Sequence, residues 1–274
     1  MFNALSRINQ KLSREVVVQK EITSEANFTP LRVLIAEDNA VNMLLAKTLV
    51  RRIAPNSIIQ EAINGNEAVI LSQTKMPDIV LMDVQMPEMN GYEATLAIRK
   101  MENGNIPIIA LTAGNVKGEK EKCLSVGMDD FIAKPINEAT LSQIFNKWVN
   151  IISDQSPKSD KDITDDKVHF NSDIIMQFIG NDPEVYKQIL LLTSQELIAS
   201  SETLDHSFDN KDLMAIQTNG HKLYGTAVAA GLNELAIIAN RLQQIQEFDE
   251  QSLKLILKNA QDEIALILSL LEIE

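Results

Sequence analysis

The sequence predicts an α/β half, built on a doubly wound five-stranded parallel sheet, followed by an all-α half folded as a four-helix bundle. Three observations lead there. Five short apolar runs alternate with stretches of helical periodicity between residues 31 and 151, the pattern of βαβ units. From residue 169 onward the periodicity is helical throughout. Aromatic residues make up only 4% of the chain, which favours helices and aliphatic cores over an all-β sandwich.

Residues 1–22 place Phe2, Leu5, Ile8, Leu12 and Val16 three or four apart, one helical stripe. Residues 1–30 read as a connector, with a docking or coiled-coil helix as the alternative. LRVLIA (31–36), SIIQEA (57–62), DIVLMD (78–83), IPIIALT (106–112) and DFIA (130–133) read as strands. Their continuous apolar character fits a sheet covered on both faces. Helices are predicted over 40–52, 64–74, 91–100, 117–126 and 137–151. SDQSPKSDKDITDD (153–166) falls in a polar linker spanning 152–168. The bundle then occupies 169–274, with helices over 172–179, 183–207, 210–230, 233–247 and 250–273. Asp182-Pro183 supplies an N-cap and a proline at the first helical position.

Composition narrows the function. The net charge is −13. Residues 1–150 hold 17 acids and 16 bases, whereas residues 151–274 hold 21 acids and 9 bases. An acidic half repels nucleic acid, so no nucleic-acid partner is expected. Solubility explains the acidity, and steering toward a basic partner is the other reading. Cys123 is the single cysteine, which excludes an internal disulfide framework and fits a cytoplasmic chain. No apolar run is long enough to cross a membrane.

Chemistry concentrates at the predicted strand ends, where a doubly wound sheet binds its ligands. Glu37 and Asp38 follow the first strand and Asp83 ends the third, so three carboxylates converge. Such a cluster ionises readily only with a cation among it, and an oxygen-only site suits Mg²⁺. Thr112 ends the fourth strand and Lys134 follows the fifth. A carboxylate nucleophile, a metal, a hydroxyl and an ammonium are the parts phosphoryl transfer requires. Each has a plainer reading taken singly: an acid after a strand is also what an N-cap requires, and Asp38 fits that role.

VLIAEDNAVN, DIVLMDVQMPEMNGYEA, PIIALTA and GMDDFIAKPI together resemble a response-regulator receiver domain of flavodoxin-like topology, over residues 31–151. The resemblance implies that Asp83 is the phosphoacceptor. It implies that Glu37, Asp38, Asp83 and the carbonyl of Gln85 hold Mg²⁺, and that Thr112 and Lys134 contact the phosphoryl group. Phe131 corresponds to the aromatic position that switches with Thr112, although a core aromatic on the fifth strand fits equally. A cis Lys134–Pro135 bond is also implied, where sequence alone favours trans.

In the helical half, GHKLYGTAVAAGL (220–232) sets His221 among small residues. Each glycine costs a helix about 1 kcal/mol relative to alanine. Either another helix packs very closely here, or something large reaches the imidazole. Gly225 lies one turn beyond His221 on the same face. With Gly220 and Thr226 it is expected to open an exposed face to another protein's active site. His221, Leu223, Gly225, Thr226, Ala227 and Gly231 resemble the motif of a histidine-containing phosphotransfer domain, with His221 as a second phosphoacceptor. The family's lysine three residues after the histidine is replaced by Tyr224. Lys222 lies roughly 100° around the helix from His221. Gln217, one turn before His221, is on the correct face to contact the phosphoryl group or is an ordinary solvated position.

The expectation is therefore a two-component phosphorelay protein that resembles the C-terminal part of a hybrid sensor histidine kinase. Asp83 would accept a phosphoryl group from a phosphohistidine, and His221 would relay it to or from another receiver. The expected partners are a histidine kinase and another receiver domain. Neither a P-loop nor a glycine-rich kinase lid is present, so no use of ATP is expected. The alternatives are a phosphorylation-dependent adaptor with a degenerate bundle, and a phosphate sink for a kinase.

Overall fold

The computed structural model describes residues 30–102, 104–113, 118–149, 169–180 and 182–271. The predicted connector over 1–30, Pro30 apart, and the predicted linker over 152–168 lie outside the described residues.

The element order is β1 (Arg32–Ala36), α1 (Ala40–Ile53), β2 (Ile58–Ala62), α2 (Gly65–Lys75), β3 (Ile79–Asp83), α3 (Gly91–Arg99), β4 (Ile108–Thr112), α4 (Glu119–Ser125), β5 (Asp130–Ala133) and α5 (Glu138–Val149). There follow α6 (Ser172–Ile179), α7 (Pro183–Asp209), α8 (Leu213–Ala229), α9 (Asn233–Gln244) and α10 (Glu250–Leu270). All strands pair in parallel in the order β2-β1-β3-β4-β5. β3 and β4 are buried at every residue, as their unbroken apolar sequences require, whereas the edge strand β2 is partly exposed. Asn39, Asn64 and Asn90 cap α1, α2 and α3 with their side chains, and Asn90 and Glu93 form a capping box. Asp182 caps α7 ahead of Pro183, as predicted. The Lys134–Pro135 bond is cis.

Beyond the sheet, α7, α8, α9 and α10 each pack on two of the others and close a four-helix bundle. α8 begins at Leu213 rather than 210, because the chain turns through a left-handed Lys211 and Asp212 caps the helix by accepting from the Ala215 amide. α9 stops at Gln244 rather than 247, where Ile245 becomes extended.

α1 joins the two halves. It packs on α5 and β1 on one side and on α6, α7 and α8 on the other. Val41, Met43, Leu45, Ala46, Leu49, Val50 and Ile53 are all buried. One apolar cluster consequently runs from this face of the sheet into the bundle core, including Ile35, Leu45, Phe145, Ile175, Phe178 and Leu223. A second cluster fills the opposite face of the sheet.

Candidate active site at the junction of the two halves

Strand order fixes the site. β1 and β3 are neighbours, with Ala36 opposite Met82, so Glu37 and Asp38 emerge beside Asp83. One carboxylate oxygen from each of the three lies within 4.8 Å of the others. β4 and β5 pair Thr112 with Ala133, which carries Lys134 to the same rim. The Lys134 ammonium lies 2.7 Å from Glu37 Oε2 and 2.7 Å from Asp83 Oδ2. The Gln85 amide donates to Asp83 Oδ1 at 3.3 Å, holding the backbone after β3 against the carboxylate. Thr112 is buried at the end of β4. Phe131 is half-buried against the far-side cluster, with Lys120 Nζ 4.8 Å from its ring centre.

Burial and mutual repulsion set the electrostatics. Burial and then Asp83 push Glu37 up to about 7; burial and then Glu37 push Asp38 up to about 6. Burial also raises Asp83, with Lys134 opposing. Burial works against the Lys134 charge, but Asp83 and Glu37 overcome it and raise its pKa. The N-cap reading of Asp38 does not hold: Asn39 Oδ1 accepts from the Val41 and Asn42 amides, and Asp38 faces the cavity with Glu37 and Asp83.

That cavity also admits the helical half. Glu37, Asp38, Asn42, Asp83 and Lys134 line it together with His221, Lys222, Tyr224 and Gly225 of α8. It leaves about 10 Å³, on the order of one water molecule. His221 Nδ1 lies 3.0 Å from Gln243 Oε1. Gln243 is turned that way because its own Nε2 donates to Asn240 Oδ1 at 2.6 Å. Nδ1 is therefore the protonated nitrogen and Nε2 keeps its lone pair. Burial and then the Lys134 charge push the imidazole down to about 4, against the Gln243 hydrogen bond.

The two glycines around His221 answer to different neighbours. A Cβ on Gly220 would lie 2.7 Å from the Gln243 nitrogen and 2.7 Å from Leu242 Cβ. Gly220 thus lets α9 approach and does not open the histidine face. A Cβ on Gly225 would lie 2.9 Å from Asn42 Nδ2 of α1. Thr226, expected on an exposed face, is buried and accepts from Asn39 Nδ2 at 2.6 Å. Gln217 does not turn toward the cavity: its Nε2 donates to the Ile245 carbonyl at 2.5 Å. Lys222 Nζ lies 2.9 Å from Glu196 Oε2 of α7, and its carbonyl accepts from Asn39 Nδ2 at 3.4 Å. Sequence reasoning missed Asn39, Asn42 and Gln243. The one available signal was α1 itself, whose apolar residues Val41, Met43, Leu44, Leu45, Ala46, Leu49 and Val50 spread beyond a single face, as suits a helix covered on two sides.

Three carboxylates and a lysine gathered at the strand ends of a doubly wound parallel sheet define the class: an α/β domain with an acidic ligand site where such sheets bind their ligands. Residues 33–146 match the response regulator receiver domain, and this part of the chain belongs to that family. The sensor protein GacS of Pseudomonas syringae pv. syringae is 30% identical over 256 residues, covering 88% of this chain and 28% of GacS. Hybrid signal transduction histidine kinase I of Dictyostelium discoideum is 40% identical over 134 residues, 46% of this chain and 8% of that protein. The chain thus spans less than a third of the length of either relative. Among solved structures, the receiver domain of the sensor histidine kinase PA1611 from Pseudomonas aeruginosa PAO1, with magnesium in its active-site cleft, is 37% identical. It covers 44% of this chain and 98% of its own, with a TM-score of 0.42. Among the described residues no helix is long and apolar enough to cross a membrane.

Proposed function

We propose that the chain is a two-step phosphorelay module in which Asp83 and His221 exchange a phosphoryl group. The observation that carries the reading is the single cavity lined by both residues. The GacS alignment covers 88% of this chain and so extends the likeness to a sensor protein past the receiver into the helical half.

In the first step an Asp83 oxygen attacks the phosphorus of a phosphohistidine on a histidine kinase. The O–P bond forms, the donor's N–P bond breaks and the electron pair returns to the donor imidazole. Lys134 and the Thr112 hydroxyl hold the transferred oxygens. In the second step the Nε2 lone pair of His221 forms an N–P bond while the Asp83 O–P bond breaks and the carboxylate is restored. Gln243 keeps the Nδ1 proton in place and so presents Nε2 as the nucleophile. His221 can then pass the group to or from another receiver. Lys134 brings to this cavity the positive charge that Tyr224 lacks.

Mg²⁺ fits the donor set: three carboxylates whose pKa values are raised by burial and crowding, all oxygen ligands. Glu37, Asp38, Asp83 and the Gln85 carbonyl would hold it. When bound it supplies charge neutralisation for the phosphoryl oxygens.

A phosphotransfer time course with wild type, Asp83→Asn and His221→Gln tests the relay. Acetyl phosphate with Mg²⁺ is the donor and a separate receiver the acceptor. Asp83→Asn should take up no base-labile label. His221→Gln should label at Asp83 but pass nothing onward. Onward transfer surviving in His221→Gln would remove the bundle from the relay.

A further inference from the structure

We propose that the helical half, packed on α1 as described above, closes Asp83 to phosphoryl donors from outside the chain, so that loading of Asp83 waits on its release. The inference rests on the relay reading for the chemistry at Asp83, and on the junction for everything else.

Asn39 is the central contact. Its Oδ1 caps α1, while its Nδ2 donates to Thr226 Oγ1 at 2.6 Å and to the Lys222 carbonyl at 3.4 Å. Asn39 and Thr226 are each 1% exposed. Such a bond is unavailable to water, and separating the halves must break it. Asn42 adds close approach rather than a bond across the junction: its Nδ2 donates to Glu37 Oε1 at 3.0 Å within the receiver, and would lie 2.9 Å from a Cβ on residue 225. At the far end of α1, Arg52 donates to the Phe178 carbonyl at 2.8 Å while pairing with Glu138 at 2.7 Å. Between them Met43, Leu45 and Ile53 are buried within the shared cluster.

The closed geometry leaves space for about one water beside Asp83. Neither a foreign phosphohistidine nor a small acyl phosphate fits there. Donors must therefore wait for the helical half to lift away, and Asp83 is loaded in proportion to the open fraction. The histidine that meets Asp83 on reclosure is His221 of the same chain.

The test uses the full chain and acetyl phosphate with Mg²⁺. Asp83 Oδ attacks phosphorus, the bond from phosphorus to the acetate oxygen breaks, and acetate leaves. The readout is the initial rate of total label uptake. Gly225→Gln places a side chain against Asn42 and is the better helix former; it should raise the rate tenfold or more. Thr226→Val removes one buried neutral hydrogen bond and should raise it about fivefold. Equal or slower uptake in both variants would overturn the closed docking. The relay is read separately, from acid-labile, base-stable label on His221 in wild type. Faster uptake by the variants with no such label keeps the docking and rejects the relay. Such label with unchanged uptake rates keeps the relay and rejects the docking.

Discussion

The two halves carry their chemistry in different ways. In the receiver, each site residue stands at the end of a strand: Glu37 and Asp38 after β1, Asp83 on β3, Thr112 on β4, Lys134 after β5. The sheet order alone brings them together. In the helical half, His221 sits mid-helix, and what surrounds it is set by helices distant in sequence: Gln243 on α9, and Asn39 and Asn42 on α1. A strand-end site tolerates change in its surroundings, because backbone pairing fixes it. A mid-helix site depends on side-chain packing from both neighbours.

Perturbations of falling size sharpen that contrast. Asp83→Asn should abolish base-labile labelling while leaving the fold intact, since the amide is isosteric; retained label would relocate the acceptor. Lys134→Ala leaves Glu37 and Asp83 buried without their cation, and should destabilise the chain by about 3 kcal/mol in thermal melts. Added Mg²⁺ should recover much of that loss; no recovery would argue against a metal among these carboxylates. Gly220→Ala drives a methyl group into α9 and should cost about 2 kcal/mol. Gly225→Ala meets only the end of the Asn42 side chain and should be near neutral in stability. Equal losses would show that both glycines serve the bundle core.

The smallest effect is in pH. Glu37 at about 7 and Asp38 at about 6 are raised above ordinary carboxylates. In the metal-free chain their contribution to stability is present at low pH and is lost as pH rises through those values. Mg²⁺ binds the deprotonated forms, so its affinity should fall about tenfold per pH unit between 7 and 6, where Glu37 alone takes up a proton, and about a hundredfold per unit below 6, where Asp38 does so too, measured by calorimetric titration. The stabilisation by Mg²⁺ should correspondingly be larger at pH 8 than at pH 5. A pH-independent affinity would place the ion elsewhere.

How much was legible follows from the same contrast. Unbroken apolar runs such as IVLMD and IIALT identify fully buried strands, and the order of βα units brings the carboxylates together. Asp38 alone read as an N-cap from its place after a strand; the residue that caps α1 is its neighbour Asn39, whose side chain accepts from the Val41 and Asn42 amides. Two glycines five apart in one helix have the same local signature, yet one faces α9 and the other α1. Gln243, 22 residues after His221, has no local pattern linking it to the imidazole. Gln217 was read from helical phase alone, and the turn after α9 captures it instead.

The central claim is that Asp83 and His221 act as one site within a chain. The direct measurement is a single-turnover transfer at several protein concentrations. Chains are loaded at Asp83, freed of donor, and followed as base-labile label converts to acid-labile label. The account predicts a first-order conversion whose rate is independent of concentration and which Gly225→Gln slows. A rate that rises in proportion to concentration, or no acid-labile label at all, would contradict it.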